Sequence, residues 1–384
     1  MTPPASRPLL ANERRAHILD TVRRDGTAHV NALAEQLGVT PITIRRDVSI
    51  MSRQGLVRRV HGGVTLPEQR RRADDAAAPT RPSVTSASAR TSTAASGPPD
   101  LTIGMVVPSL DYYWPDIIRS ARTTAAAVAA RIVLRGATYE AADERTQLTR
   151  LVDDNGLDGL LVAPTTSGEE GEALVRWLHG LDIPVVLLER TAVVGSPREA
   201  MESVVSDHAL GAGMAVHHLA GLGHRRVGLL TTISSPTSPQ VRRGWREACE
   251  QLGLPTDDGM PDVDSVDHRV AGWLETVDAL LERCRETRTS ALLVHSDHEA
   301  ISLVERGREL GIAVPRDLAI VTYDDEVAGL ADPPLTSVHP PRDEIGDAAV
   351  RLLADRIRDP GRPAHRLVVA PRLVVRESAS SPSP

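Results

Sequence analysis

Apolar positions near the start of the chain recur at helical spacing. Ile18, Leu19 and Val22 share one face of a helix predicted over 13–24, and Val30, Leu33, Ala34 and Leu37 mark a second, shorter one. Gly38 supplies the turn that follows. Thr40 is a good N-cap and Pro41 suits the first position of a third helix, where a missing N–H costs nothing. Ile44, Val48 and Met51 then fall on one buried face, while Ile42, Arg46, Ser49 and Arg53 point the opposite way, with Arg45 and Ser52 on a flank. Gly55 ends this helix. A strand over 56–60, a tight turn at Gly62-Gly63 and a return through 64–66 complete a winged helix-turn-helix over 12–66.

The pattern changes at residue 101. Short apolar runs at 101–107, 132–134, 157–162 and 185–188 are separated by helical stretches near 115–130, 142–155 and 168–180. A second series has runs at 227–231, 261–266, 291–294 and 318–323, with helices near 208–222, 240–252, 269–286 and 297–311. Such alternation predicts parallel sheets wrapped by helices, and two series predict two α/β lobes with a cleft between them. The lobes are expected at roughly 101–190 plus 338–360, and 191–337 plus 361–378. Ligands of these folds bind outside the carboxyl ends of the strands.

Between the two patterns, 67–100 reads as a linker. From 70 to 100 it is Ala, Ser, Thr, Pro, Arg and a few polar residues, with Val84 as the single large apolar side chain, so it cannot bury a core. A flexible coil of this length reaches roughly 30 Å.

Charge sharpens the division. The first hundred residues hold fifteen Arg and nine acids, and the remainder holds twenty-nine Arg and forty-two acids. The overall charge of −7 thus hides a basic head on an acidic body, which suits a protein meeting nucleic acid at one end. Every Lys/Arg-type cation is Arg, and Phe is absent; coding bias explains this better than function does. Cys249 and Cys284 offer neither metal spacing nor a disulfide framework. No apolar stretch reads as a signal peptide or membrane span, so a cytoplasmic location is expected.

An exposed helix face of Arg, Ser and one apolar residue fits a major groove: Arg takes guanine edges or phosphates, and an apolar group touches a thymine methyl. The DNA-contacting set is Thr40, Ile42, Thr43, Arg45, Arg46, Ser49 and Arg53, with Arg58, Arg59 and His61 from the wing. Asp47 would repel phosphate and is read as structural. In the body, Tyr112, Tyr113 and Trp114 follow the first strand and hold three of the chain's eight aromatics. They form either a flat wall for a sugar ring or base, or a satellite core beneath a loop. Ser296-Asp297 and Asp324-Asp325 follow two later strands. Carboxylates there can accept two hydrogen bonds from vicinal hydroxyls; a cap for the next helix is the lesser reading of Asp297, which precedes one.

Residues 12–66 resemble the DNA-binding domain of the DeoR-type regulators, with Thr43-Ile44-Arg45-Arg46-Asp47 and His61-Gly62-Gly63 standing where that family's helix and wing signatures stand. Residues 101–378 resemble the effector domain of the LacI-type regulators. The matching stretches include Asp158-Gly159, Gly223-His224-Arg225, Tyr323-Asp324-Asp325, Pro333 to Val338 and Val375-Arg376-Glu377-Ser378. The second resemblance implies a two-lobed, type I periplasmic-binding-protein-like fold. It carries effector contacts to the loop at Tyr112–Trp114 and to Ser296, Asp297 and Asp324, and more weakly to Glu189, Arg190 and Asp207. The family's usual Arg, three residues before a Gly-aromatic pair, is Val241 here; Arg242 or Arg243 could stand in. The short hinge helix that joins the family's own DNA head to its body is replaced by the long linker.

Two other classes are weighed. Gly211-Ala212-Gly213 superficially suggests a dinucleotide loop, but it follows no convincing strand and Val216 stands at the third glycine position. Nothing suggests an enzyme, a cofactor or a metal site, and a solute-binding transport protein would not carry the DNA-reading head. The expectation is a homodimeric transcriptional regulator, a repressor before an activator. It would bind double-stranded operator DNA and answer to a small effector, a neutral sugar first and a nucleoside or nucleobase second.

Overall fold

The computed structural model describes residues 101–136, 141–195, 198–257 and 259–382; toward the N-terminus it describes 14, 17, 18, 21, 22, 27–37, 39, 43, 44, 48, 51, 57–60 and 63–65. The chain separates into two compact units, Met1–Thr91 and Ser92–Pro384.

In the first unit, β1 (Thr27–His29) leads directly into helix α1 (Val30–Leu37). Strands β2 (Arg58–Val60) and β3 (Gly63–Thr65) form the expected wing, and β3 pairs antiparallel with both β2 and β1. The wing is therefore a three-stranded sheet, because Thr27–His29 supplies a strand that the helical reading of this region omits. Ile18, Val22, Leu33, Ile44, Val48 and Met51 are at most 2% exposed, so three helical faces close on one core. Leu19 lies outside the described residues.

The second unit runs β4 (Leu101–Val107), α2 (Trp114–Ala127), β5 (Ala130–Gly136), α3 (Ala141–Asn155), β6 (Gly159–Val162), α4 (Gly168–His179) and β7 (Val185–Leu188). A small hairpin, β8 (Val193–Val194) and β9 (Glu199–Ala200), precedes β10 (Glu202–Ser206). There follow α5 (His208–Gly221), β11 (Val227–Thr232), α6 (Ser238–Gln251), β12 (Asp262–Ser265), α7 (Trp273–Glu286), β13 (Ala291–Val294), α8 (Asp297–Glu309) and β14 (Ala319–Tyr323). The run ends with β15 (Thr336–His339), α9 (Arg342–Arg358), β16 (Arg366–Val369) and β17 (Arg372–Val374).

These strands make two six-stranded sheets. The first has the order β16-β10-β7-β6-β4-β5 and is wholly parallel. The second has the order β12-β11-β13-β14-β15-β17, parallel except for β17 against β15. Each sheet is covered on both faces, as unbroken apolar strands require. In the first, Ile103, Met105 and Val107 pack under α2 and α9, while Val106, Leu160 and Val162 pack under α3 and α4. In the second, Val227 and Leu229 face α5 and α6, while Leu230, Leu292 and Val294 face α7 and α8.

The lobe boundaries differ from expectation. Strands β10 and β16 belong to the first sheet, so 191–206 and 361–369 join the first lobe. The chain crosses between lobes near 207, 340 and 370. Gly211 and Gly213 lie inside α5, not in a phosphate loop; a Cβ on Gly211 would stand 2.5 Å from Tyr323 Oη, so the glycine allows close helix–sheet packing. Among the described residues, no helix is long and apolar enough to cross a membrane.

Candidate ligand cleft and DNA-reading head

The site residues of the body gather where β4, β7 and β10 of one lobe face β13 and β14 of the other. Tyr112 and Tyr113 sit on the loop after β4 in left-handed backbone, at φ 46° and 26°, and Pro115 stands at the first turn of α2. This sharp bend turns both rings into the interlobe gap. Tyr112 Oη donates to Asp324 Oδ2 across the lobes at 3.0 Å. Tyr113 Oη donates to Glu189 Oε1 at 2.7 Å. Burial raises both phenols well above their ordinary pKa, and the facing Asp324 and Glu189 carboxylates add to it, so both remain donors. Trp114 is 2% exposed and meets Tyr113 edge-on at 5.7 Å. The aromatic cluster is thus part core and part wall.

Asp324 follows β14 at φ 92°, a left-handed position that turns its carboxylate toward the first lobe. Asp297 is placed differently from expectation. It is fully buried: Oδ2 accepts from the backbone N–H of Glu326, Val327 and Ala328 at 2.7–3.1 Å, and Oδ1 accepts from Thr322 Oγ1 at 3.1 Å. Both of its oxygens are engaged within the fold, and the three bonds to Oδ2 pin the loop after β14. Burial and the neighbouring Asp324 charge push its pKa up to about 7, against those backbone donors. Nor is Asp297 the cap of α8. That role falls to Ser296, whose backbone N–H and hydroxyl both meet Glu299 Oε2, at 3.2 and 2.8 Å.

Glu189 and Asp207 are also committed to the fold. Glu189 accepts from Tyr113, from Ser206 N and from Ser206 Oγ, and lies 3.4 Å from His208 Nε2. Burial opposes its ionisation, but His208 and Ser206 outweigh burial and lower its pKa to about 2. Asp207 caps α5 through Leu210 N at 2.9 Å. Arg190 folds back on the Glu189 carbonyl at 2.7 Å. Arg242 does not replace the family arginine in the cleft. It binds Asp262 and Asp264 at 2.7 and 2.8 Å along the β12 edge, and Val241 is buried.

Two features escaped the sequence. Arg342, the first residue of α9, is 3% exposed, and its Nη1 donates to the Asp324 carbonyl. The His298 ring stands 5.0 Å from Tyr112 and stacks at 5.2 Å on His268, which meets Glu299 at 3.2 Å. Asp267, His268 and Glu299 come within ligand-bridging reach of one another, but Arg269 already holds both Asp267 oxygens, at 2.8 and 2.7 Å. A helix-start arginine after Pro340-Pro341 was the only local signal for the first feature.

In the head, Thr43 is half-buried beside the buried Ile44, and Arg58 and Arg59 lie on β2 opposite Thr65 and Val64. Thr40, Ile42, Arg45, Arg46, Ser49, Arg53 and His61 lie outside the described residues.

Two parallel α/β lobes joined by three crossings, with polar side chains meeting at the strand ends, define a periplasmic-binding-protein-like ligand sensor. Residues 216–379 match the periplasmic binding protein-like domain family, and residues 14–70 match the DeoR-like helix-turn-helix domain family. The chain is 26% identical over 282 residues to the ribose operon repressor of Escherichia coli, covering 72% of this chain and 82% of that protein. A solved transcriptional regulator CelR–cellobiose complex matches at 26% identity and a TM-score of 0.62, over 72% of this chain and 84% of that one. A LacI family transcriptional regulator from Mycobacterium smegmatis matches at 25% identity and a TM-score of 0.57, over 73% and 100%. The protein is a transcriptional regulator in which a DeoR-type winged helix-turn-helix is joined to a LacI-type effector domain.

Proposed function

We propose that this regulator is a homodimeric repressor that binds a palindromic operator through its N-terminal head, and that a neutral sugar held between the lobes sets its operator affinity. The supporting observation is the Asp324 carboxylate, which faces the other lobe and accepts from Tyr112. It is the arrangement by which a carboxylate receives ligand hydroxyls, with aromatic walls for the apolar face of a ring. The ligand-contacting set is Tyr112, Tyr113, Trp114, Ser296 and Asp324, with Asp297 and Glu189 holding its frame. The sugar named in the CelR complex supports this class over a nucleoside. On the DNA side, the reading set is Arg45, Arg46 and their helix neighbours, supported by Arg58 and Arg59 of the wing. Catalysis has no place in this reading.

The test is selection of duplexes from a random pool by the full-length protein, followed by titration of the winning duplex with ribose, arabinose and cellobiose. A two-fold-symmetric sequence should be enriched, and one sugar should change its affinity at least tenfold. Enrichment without any sugar response would refute the effector half, and no enrichment would refute the operator half.

A further inference from the structure

Two buried N–H donors flank the Tyr113 ring without a hydrogen-bond acceptor. Trp114 is 2% exposed and Arg342 is 3% exposed, yet Trp114 Nε1 and Arg342 Nε have no hydrogen-bond partner among the described residues. The indole meets the Tyr113 ring at 5.7 Å, and the guanidinium carbon lies 5.6 Å from the same ring's centroid. Folded proteins pair nearly all buried polar groups, so donors left open beside a cleft mark a place for acceptors from outside the chain.

Arg342 stands at an unusual place for a buried cation. It opens α9, where the helix dipole disfavours a cation. That helix belongs to the first lobe, yet Arg342 Nη1 donates to the carbonyl of Asp324 in the second. Its Nε lies 3.5 Å from Glu326 Oε1 and 3.6 Å from Asp116 Oδ2. These separations balance its charge but are too long for well-formed hydrogen bonds. Of the fork's N–H donors, Nη1 is taken by the Asp324 carbonyl, while the buried Nε has no acceptor among the described residues. The position where LacI-type regulators carry their arginine is Val241, and Arg242 is turned to the β12 edge.

Resting on the effector reading above, we propose that Arg342 is a specificity-determining residue of the cleft. With the Trp114 indole, its fork reads acceptor oxygens of an uncharged, polyhydroxylated ligand. The charge of that ligand follows from the surroundings. Asp116 and Glu326 already offset the guanidinium, and Asp324 and Glu189 stand nearby, so an added phosphate or carboxylate would meet a net negative wall.

The experiment titrates the full-length protein, by tryptophan fluorescence and calorimetry, with ribose, arabinose, cellobiose, ribose 5-phosphate and gluconate. At least one neutral sugar should bind, and neither anion should bind more tightly. Arg342→Lys keeps a cation between Asp116 and Glu326 but loses the fork. It should keep the wild-type circular dichroism and bind that sugar at least tenfold more weakly. Across monodeoxy analogues of the sugar, one should bind Arg342→Lys and wild type alike, since it lacks the oxygen that Arg342 reads; a merely structural role would weaken all analogues equally. Tighter binding of the phosphate or of gluconate would overturn the uncharged class. Equal binding by wild type and Arg342→Lys would overturn the role of Arg342 and leave the sugar reading intact. No neutral sugar bound by wild type would overturn the sugar reading, and this proposal with it.

Discussion

Asp324 and Asp297 stand at the ends of adjacent strands and are both buried, yet their partners give them different roles. Asp324→Ala should lower sugar affinity at least tenfold, about 1.4 kcal/mol, while operator binding without sugar survives. Calorimetry on the full chain checks this. Asp297→Ala should instead strand three backbone N–H groups and destabilise the body by roughly 3 kcal/mol, read by thermal melting. Asp297→Asn can keep those three bonds on its carbonyl and donate its amide to Thr322 Oγ1, so sugar binding should change less than twofold. It should also alter the pH response. The Asp297 pKa of about 7 lies above the ordinary value, so the folded state holds that proton more tightly than the unfolded chain does. Its stability contribution is complete below about pH 4 and is lost as pH rises through 7. The melting temperature of Asp297→Asn minus that of wild type should therefore climb between pH 5 and pH 8. Glu189 works with the opposite sign. Its pKa is lowered to about 2, so its contribution is present above the ordinary carboxylate range and is lost as pH falls toward 2.

Strands with unbroken apolar sequence, such as Leu101–Val107 and Ala291–Val294, were legible because both faces of a parallel sheet are buried. Strand β10 was not. Its buried Glu202, Ser203 and Ser206 read as a polar loop until their distant partners are known. Arg356, Arg362 and the His365 N–H hold Glu202, and Ser206 serves Glu189. Strand β16 is an exposed edge and carries little periodic signal. Asp324 at a strand end could be inferred from strand position alone. The commitments of Asp297 could not, because they depend on a loop thirty residues further on. The packing of α5 gives a direct test. Gly211→Ala would drive a methyl to 2.5 Å from Tyr323 Oη and 2.9 Å from Val338, and should cost about 1–3 kcal/mol of stability in thermal melting.

The two units divide their work by charge. Arg46→Ala should weaken specific operator binding by roughly 1–3 kcal/mol if the guanidinium reads a base. A phosphate contact would instead weaken all duplexes alike and flatten the salt dependence, which anisotropy at several ionic strengths distinguishes. The body should carry the dimer contacts, because the large apolar residues described in the head are spent on its own core. Sedimentation should find 101–384 dimeric at micromolar concentration, and a monomeric body would contradict the homodimer.

The three crossings have a consequence for synthesis. The first lobe begins at β4, but its core includes Ile345, Ala349 and Leu353 of α9, and its sheet edge is β16. A ribosome adding about 5–20 residues per second needs roughly 15–50 s to pass from residue 101 to the end of α9. Throughout that interval Ile103, Met105 and Val107 lack half their cover. The head is complete long before and is free to fold ahead of the sensor that governs it. Chains arrested before α9 should therefore carry a working DNA reader on a protease-sensitive body, a regulator that can occupy its operator before it can answer to any sugar.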